Sequence, residues 1–205
     1  MTNGSGAQII TIWELYGCGM ERIAARVADQ LKLPLHGQAF SSEQIEESMA
    51  QREREGAFGR FLRHLAPAAI PNSSAGDVAI QEARTVEDTA REVTADVNAF
   101  ADQGGVILGR NGAFLLHERP NALHVKLVGQ TAARVANAAE QFGISQEQSA
   151  RRQPLEDDFR RELSLQVFRF DPTTDDYYDL VVDATRFDED DVVALIVTAA
   201  RARAH

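Results

Sequence analysis

A β-branched run, a glycine turn and an amphipathic segment follow one another within the first 31 residues. Residues 9–13 read Ile-Ile-Thr-Ile-Trp, apolar on both sides of a pleat. Such a strand is buried on both faces, as parallel strands under helices are. Gly17-Cys18-Gly19 makes a turn, and Ile23, Val27 and Leu31, four residues apart, then give one apolar helical stripe. The alternation recurs. Residues 34–35 open a weak second strand, and 106–108, 123–128 and 180–182 read as three more, each followed by a polar or glycine turn and a helix. Asp188 stands at the N-cap position of the last helix, with Val192, Leu195 and Ile196 on its inner side. The pattern predicts an α/β fold of three layers, a doubly wound, five-stranded parallel sheet with helices on both faces.

Two stretches do not fit a bare core of this kind. Residues 40–103 form a helical excursion in which Val86, Val93, Val97 and Phe100 share a face, Glu87 and Arg91 pair across one turn, and 66–76 interrupt the helix. Residues 145–176 form the second. Ser145 and Gln148 make a capping box, Pro154 breaks the helix, and Phe159, Leu163, Val167 and Phe170 resume an apolar stripe. The organisation predicted is a single domain with its core in 8–36, 104–144 and 177–205, a helical insert in 37–103 and a lid-like segment in 145–176.

Charge narrows the partners. The chain of 205 residues has 21 Lys plus Arg against 31 Asp plus Glu, a net charge of -10. That balance argues against a nucleic-acid binder while leaving room for one nucleotide in a local basic cleft. A single cysteine cannot form an internal disulfide, and no apolar run approaches the roughly 20 residues that span a bilayer. The expectation is a soluble, cytoplasmic protein that does not contact membranes.

A strand, a glycine-rich turn and a helix in that order gather backbone N–H groups and a helix N-terminus at one point, which favours an anion there. The bland alternative is a tight connection that needs glycine for its backbone angles alone. The GxxxxGK[ST] phosphate-loop signature is not met. With Gly19 as its second glycine, Glu14 stands at the first, Met20 replaces the lysine, and Glu21 replaces the magnesium-binding hydroxyl. A carboxylate about 4 Å from a phosphate charge costs about 4 kcal/mol at an effective dielectric near 20. Glu21 therefore points away, or a metal lies between it and the nucleotide.

Three segments resemble the cytidylate kinase-like family of P-loop nucleoside monophosphate kinases. Tyr16-Gly-Cys-Gly-Met-Glu-Arg-Ile-Ala24 is similar to that family's Tyr-Gly-Ser-Gly-Gly-Arg-Glu-Ile-Ala loop, itself without the lysine. Val106-Ile-Leu-Gly-Arg110 is similar to its Val-Ile-Leu-Gly-Arg strand end, and Tyr178-Asp-Leu-Val-Val-Asp-Ala-Thr-Arg186 to its Tyr-Asp-Leu-Val-Ile-Asn-Thr-Ser-Arg segment. The resemblance implies a monophosphate-binding insert, an arginine-bearing lid, and transfer of the γ-phosphoryl group of ATP, with Mg²⁺ on the phosphates, to a nucleoside monophosphate such as CMP. The alternatives are a nucleotide-binding or regulatory protein that has lost turnover, and a kinase of another small metabolite. Gly37 stands where the family usually has aspartate, and Asn111 where cytidylate kinases carry an acid.

The resemblance makes Arg110 the arginine that holds the acceptor phosphate and Arg160 the catalytic lid arginine. It puts Arg151 and Arg152 at the lid's start and Arg134 near the donor nucleotide. The phosphate loop comprises Gly17, Cys18, Gly19, Met20, Glu21 and Arg22, where Arg22 is the nearest replacement for the lysine. Each arginine has a bland reading as a solvated or ion-paired side chain, and Cys18 reads chiefly as a small residue filling a small space. The five histidines lack metal-ligand spacing, and no side chain is assigned to a metal. The partners expected are a nucleotide and a small phosphate acceptor, and the long insert helix offers a homodimer face.

Overall fold

A computed structural model describes residues 7–38 and 75–203, with side chains from residue 86 onward in the second stretch. In chain order the elements are β1 (Ile9–Glu14), α1 (Met20–Leu31), β2 (Leu35–His36), α2 (Ala75–Gln103), β3 (Gly105–Leu108), α3 (Gly112–Leu115), β4 (Ala122–Val128), α4 (Thr131–Phe142), α5 (Gln146–Phe168), β5 (Leu180–Asp183) and α6 (Glu189–Arg203). The five strands form one sheet in the order β2-β3-β1-β4-β5. Every pairing is parallel.

Burial explains the centre of that order. Every residue of β1 is buried, and Ile10 and Ile12 are sealed under α1 and α6 with Val27, Val193 and Ile196. Ile9 and Ile107 face the other way, onto Val97 and Ala101 of α2 and Leu116. At about 1.5–3 kcal/mol for each fully buried aliphatic side chain, these two layers fix the sheet between them. The register Ile12↔Leu108 and Glu14↔Leu127 brings the end of β1 beside the ends of β3 and β4. Open α/β sheets place their ligands at that edge.

Three local readings change. Helix α5 runs unbroken through Pro154. Its preceding turn is anchored by the Ser145–Gln148 capping box, with bonds of 3.1 and 3.0 Å, which the sequence pattern anticipated. In α6 the inner face is Val192, Val193, Ile196 and Val197, whereas Leu195 is turned outward. Arg91 pairs with Asp88 at 2.7 Å, one residue closer along the helix than the expected Glu87. The interruption expected at 66–76 lies largely outside the described residues, and α2 is already helical at Ala75. Among the described residues no helix is long and apolar enough to cross a membrane.

Candidate functional site

The turn after β1 is built by two glycines in the left-handed region, Gly17 at φ 85° and Gly19 at φ 83°. Gly17 is also pressed against α4, where a β-carbon would stand 2.2 Å from the carbonyl oxygen of Arg134. Only glycine fits both the angle and the gap. Gly19 precedes α1 without a side-chain cap of its own. The amide of Met20, at the position where a phosphate-loop lysine would stand, donates instead to Glu14 Oε2 at 2.9 Å.

Glu14 is buried, and burial raises its carboxyl to about 7, opposed by the Arg160 charge and the Met20 amide and reinforced by Glu156 and Glu21. A second carboxylate serves the same turn from α5. Asp157 of α5 accepts the Tyr16 amide at 2.7 Å through Oδ1, while its Oδ2 meets Arg134 Nη1 at 3.0 Å. Arg134 also donates to the carbonyls of Tyr16 at 2.8 Å and Gly129 at 3.1 Å. Two amides of the turn thus face the chain's own carboxylates, and a third, that of Cys18, donates to the Leu15 carbonyl at 3.2 Å.

A second backbone peculiarity closes β3. Gly109, Arg110 and Asn111 are consecutive residues with φ of 61°, 52° and 54°. Left-handed conformation costs a residue with a β-carbon roughly 1–2 kcal/mol, and strain of this kind concentrates at ligand sites. Here it turns Arg110 and Asn111 toward a cavity of about 370 Å³ between α2 and α5. Glu14, Met20, Arg110, Asn111 and Arg160 line it on one side, and Trp13, Val93, Phe159 and Leu163 supply apolar walls. The Arg110 guanidinium donates to the carbonyls of Gly37 at 2.9 Å and Gln38 at 3.5 Å and lies over the Phe100 ring. Arg160 Nη2 meets Glu156 Oε2 at 2.8 Å. Its Nη1 is buried and finds no hydrogen-bond partner among the described residues.

A cavity of about 440 Å³ opens on the other flank of the loop, between α1, α4 and the turn that leads into α6. Cys18, Arg22, Asn137, Glu140, Phe187 and Glu189 line it.

Of the residues singled out in the sequence, Gly17, Cys18, Gly19, Met20, Arg134, Arg110 and Arg160 converge on this region. Three others are held in contacts of their own, Arg22 among them although its Nη2 lies against Gly19 and it lines the second cavity with Cys18. Arg22 is half exposed and paired with Glu189 at 2.9 Å. Arg151 is exposed and paired with Glu147 at 2.5 Å. Glu21 is exposed and accepts from Gln38 at 3.3 Å, so it points away from the turn. Arg152 comes close enough to Tyr16 for its charge to act on the phenol, whose pKa burial raises. Cys18 packs in the core at the wall of the second cavity, and burial pushes its thiol far above the ordinary range. Asp157 was not singled out, because its partner Tyr16 is 141 residues away in sequence. Among the described residues no group of three or more His, Cys, Asp or Glu could hold a metal.

The fold is thus an α/β fold, a five-stranded parallel sheet with a glycine turn at the edge of its central strand between two cavities. Residues 9–186 match the model of the cytidylate kinase-like family, and the chain belongs to that family. An uncharacterized protein from Eubacterium ventriosum shares the fold with a TM-score of 0.63 at 19% identity, over 95% of this chain and 98% of that one. A gluconokinase from Sinorhizobium meliloti aligns over 96% of this chain and 93% of its own at 12% identity and a TM-score of 0.48. A uronate isomerase of Corynebacterium glutamicum is 29% identical over 144 residues, 70% of this chain. The match spans only 27% of that protein.

Proposed function

We propose that this chain transfers a phosphoryl group from ATP to a small acceptor, with a nucleoside monophosphate as the acceptor class that the family suggests. The observation that carries the reading is the position of the Gly17–Met20 turn between two separate cavities. Phosphoryl transfer needs donor and acceptor to approach one point from opposite sides while water is excluded. The cleft that reaches Cys18 suits the polar part of a donor nucleotide. The cavity that reaches Glu14 and Met20 has the apolar walls and guanidinium groups that an acceptor with a ring and an anionic end requires.

In this reading the loop's amides hold the phosphate tail, and the open Nη1 of Arg160 donates to the group in transit, where a buried donor is worth far more than one in water. The described residues offer no cage of protein ligands for Mg²⁺, so that ion would come bound to the nucleotide's phosphates. CMP is the finer candidate; with Asn111 rather than an acid beside Arg110, other pyrimidine and purine monophosphates belong in the same screen. A coupled assay with ATP, Mg²⁺ and the common monophosphates tests it. Transfer to at least one acceptor is expected, and a blank with every acceptor at every protein concentration contradicts it.

A second reading, nucleotide binding without turnover, is favoured by one contact. The Met20 amide is occupied by Glu14, and the lysine that would neutralise a triphosphate is missing. Thermal stabilisation by ATP with no transfer would establish that reading in place of the first.

A further inference from the structure

We infer that Glu14 and Asp157 form an internal latch that occupies the phosphate loop in place of phosphate, so that nucleotide binding requires both carboxylates to leave the loop and α5 to shift with Asp157. The inference rests on the phosphate-binding reading of the loop given above.

The two contacts are independent. Glu14 comes from the end of β1 and caps the first amide of α1, whereas Asp157 comes from the middle of α5 and caps the amide of Tyr16. Carboxylates bind such amides for the reason phosphates do, and a charge-assisted N–H···O bond is about twice as strong as a neutral one. An incoming phosphate therefore meets two amides already taken by carboxylates, one of them Glu14 at the cavity wall. Arg134 strengthens the closed state by joining Asp157 to the carbonyl of Tyr16, which draws α5, α4 and the turn together. Arg160 lines the same cavity as Glu14, and among the described residues its buried Nη1 has no hydrogen-bond partner, a donor open to an arriving anion.

The groups that face Glu14 decide how the latch opens. Arg160 and Glu156 of α5, Glu21 of α1 and the Met20 amide act on its carboxyl, and burial is the dominant influence. Because its proton is held near neutrality, Glu14 can exchange the amide for a proton as an anion arrives. Asp157, held by Arg134 at 3.0 Å and by Gln153 at 2.6 Å, leaves the loop by moving with its helix. Anion binding is thereby coupled to proton uptake and to displacement of α5.

The test is calorimetric titration of the full chain with pyrophosphate at pH 6 and pH 8, for wild type, Glu14→Gln, Asp157→Asn and the double variant. These substitutions keep shape and remove charge; thermal melts check that each variant is folded, and Glu14→Gln, which leaves the buried Arg134–Asp157 pair intact, tests the latch by itself. The double variant is expected to bind about tenfold or more tighter than wild type at pH 8. Wild type is expected to weaken from pH 6 to pH 8 more than Glu14→Gln does, a comparison from which the titration of pyrophosphate itself cancels. Wild-type titrations at pH 8 in two buffers of different ionisation enthalpy are expected to show more proton uptake than Glu14→Gln. Equal affinities in all four proteins, or equal proton uptake, overturn the latch. A latch that behaves as expected in a protein that transfers phosphate to no acceptor would leave the latch standing and remove the kinase reading.

Discussion

Arg134 and Asp157 form a buried ion pair, Nη1 to Oδ2 at 3.0 Å, with side-chain exposures of only 4% and 15%. The pair links the helix after β4 to the middle of α5, at the point where both touch the glycine turn. Breaking one partner of such a pair leaves an uncompensated charge and typically costs 3–5 kcal/mol. Arg134→Met is expected to destabilise the protein by about 3 kcal/mol in urea unfolding. A loss below about 1 kcal/mol would show that the pair does not hold α5 to the loop.

The turn itself is more restrictive. Gly17 combines φ 85° with a carbonyl oxygen 2.2 Å from where a β-carbon would sit. Gly17→Ala must therefore push α4 away or abandon the turn. The expected outcome is a loss of more than about 3 kcal/mol, a size that only clashes and similar structural faults produce. A variant that melts within a few degrees of wild type would refute the close approach.

Stability should depend on pH through Glu14. Its folded-state pKa, about 7, lies above the unfolded value of 4.5, so the folded protein binds the proton more tightly. The associated stability is fully present below pH 4.5, is lost as pH rises toward 7, and changes little above that. At 1.36 kcal/mol per pKa unit the loss is on the order of 3 kcal/mol. Glu14→Gln should flatten this part of the stability–pH curve. Superimposable curves for the two proteins between pH 4.5 and 8 would count against a raised pKa.

The start of α5 provides a milder probe. Ser145 Oγ accepts the Gln148 amide and the Gln148 side chain accepts the Ser145 amide. Ser145→Ala should cost about 1 kcal/mol, roughly 2–4 °C in Tm for a domain of this size. An unchanged Tm would mean that water replaces the cap without loss.

Most of the fold was legible because its signals are local. Ile9 to Trp13 can only be a strand covered on both faces, and Ile23, Val27 and Leu31 can only be one side of a helix. Pro154 was misread because proline's local cost was weighed without the tertiary packing of α5, which carries the helix through it. Leu195 was misplaced because a run of consecutive apolar residues hides which of them turn inward. The glycine turn and Arg110 stand out in the sequence because they sit in short motifs, whereas Arg134 and Arg160 lie on helices outside any of them. The candidate site's carboxylates do not stand out. Glu14 drew notice only as a missing glycine, and Asp157 stands among other acids in 156–158 with nothing to mark its contact with Tyr16. Those roles exist only once β1 and α5 are brought together in space.

The most direct measurement is steady-state transfer of the ATP γ-phosphoryl group by Glu14→Gln at pH 7.5 across the monophosphate panel, beside wild type and an Arg160→Lys variant. Lysine preserves the charge next to Glu156 and removes the second guanidinium donor. The account predicts transfer that is faster in Glu14→Gln than in wild type and about a hundredfold slower in Arg160→Lys, the usual scale for loss of one preorganised donor. Saturable ATP binding by all three proteins with no phosphorylated product from any of them would contradict it.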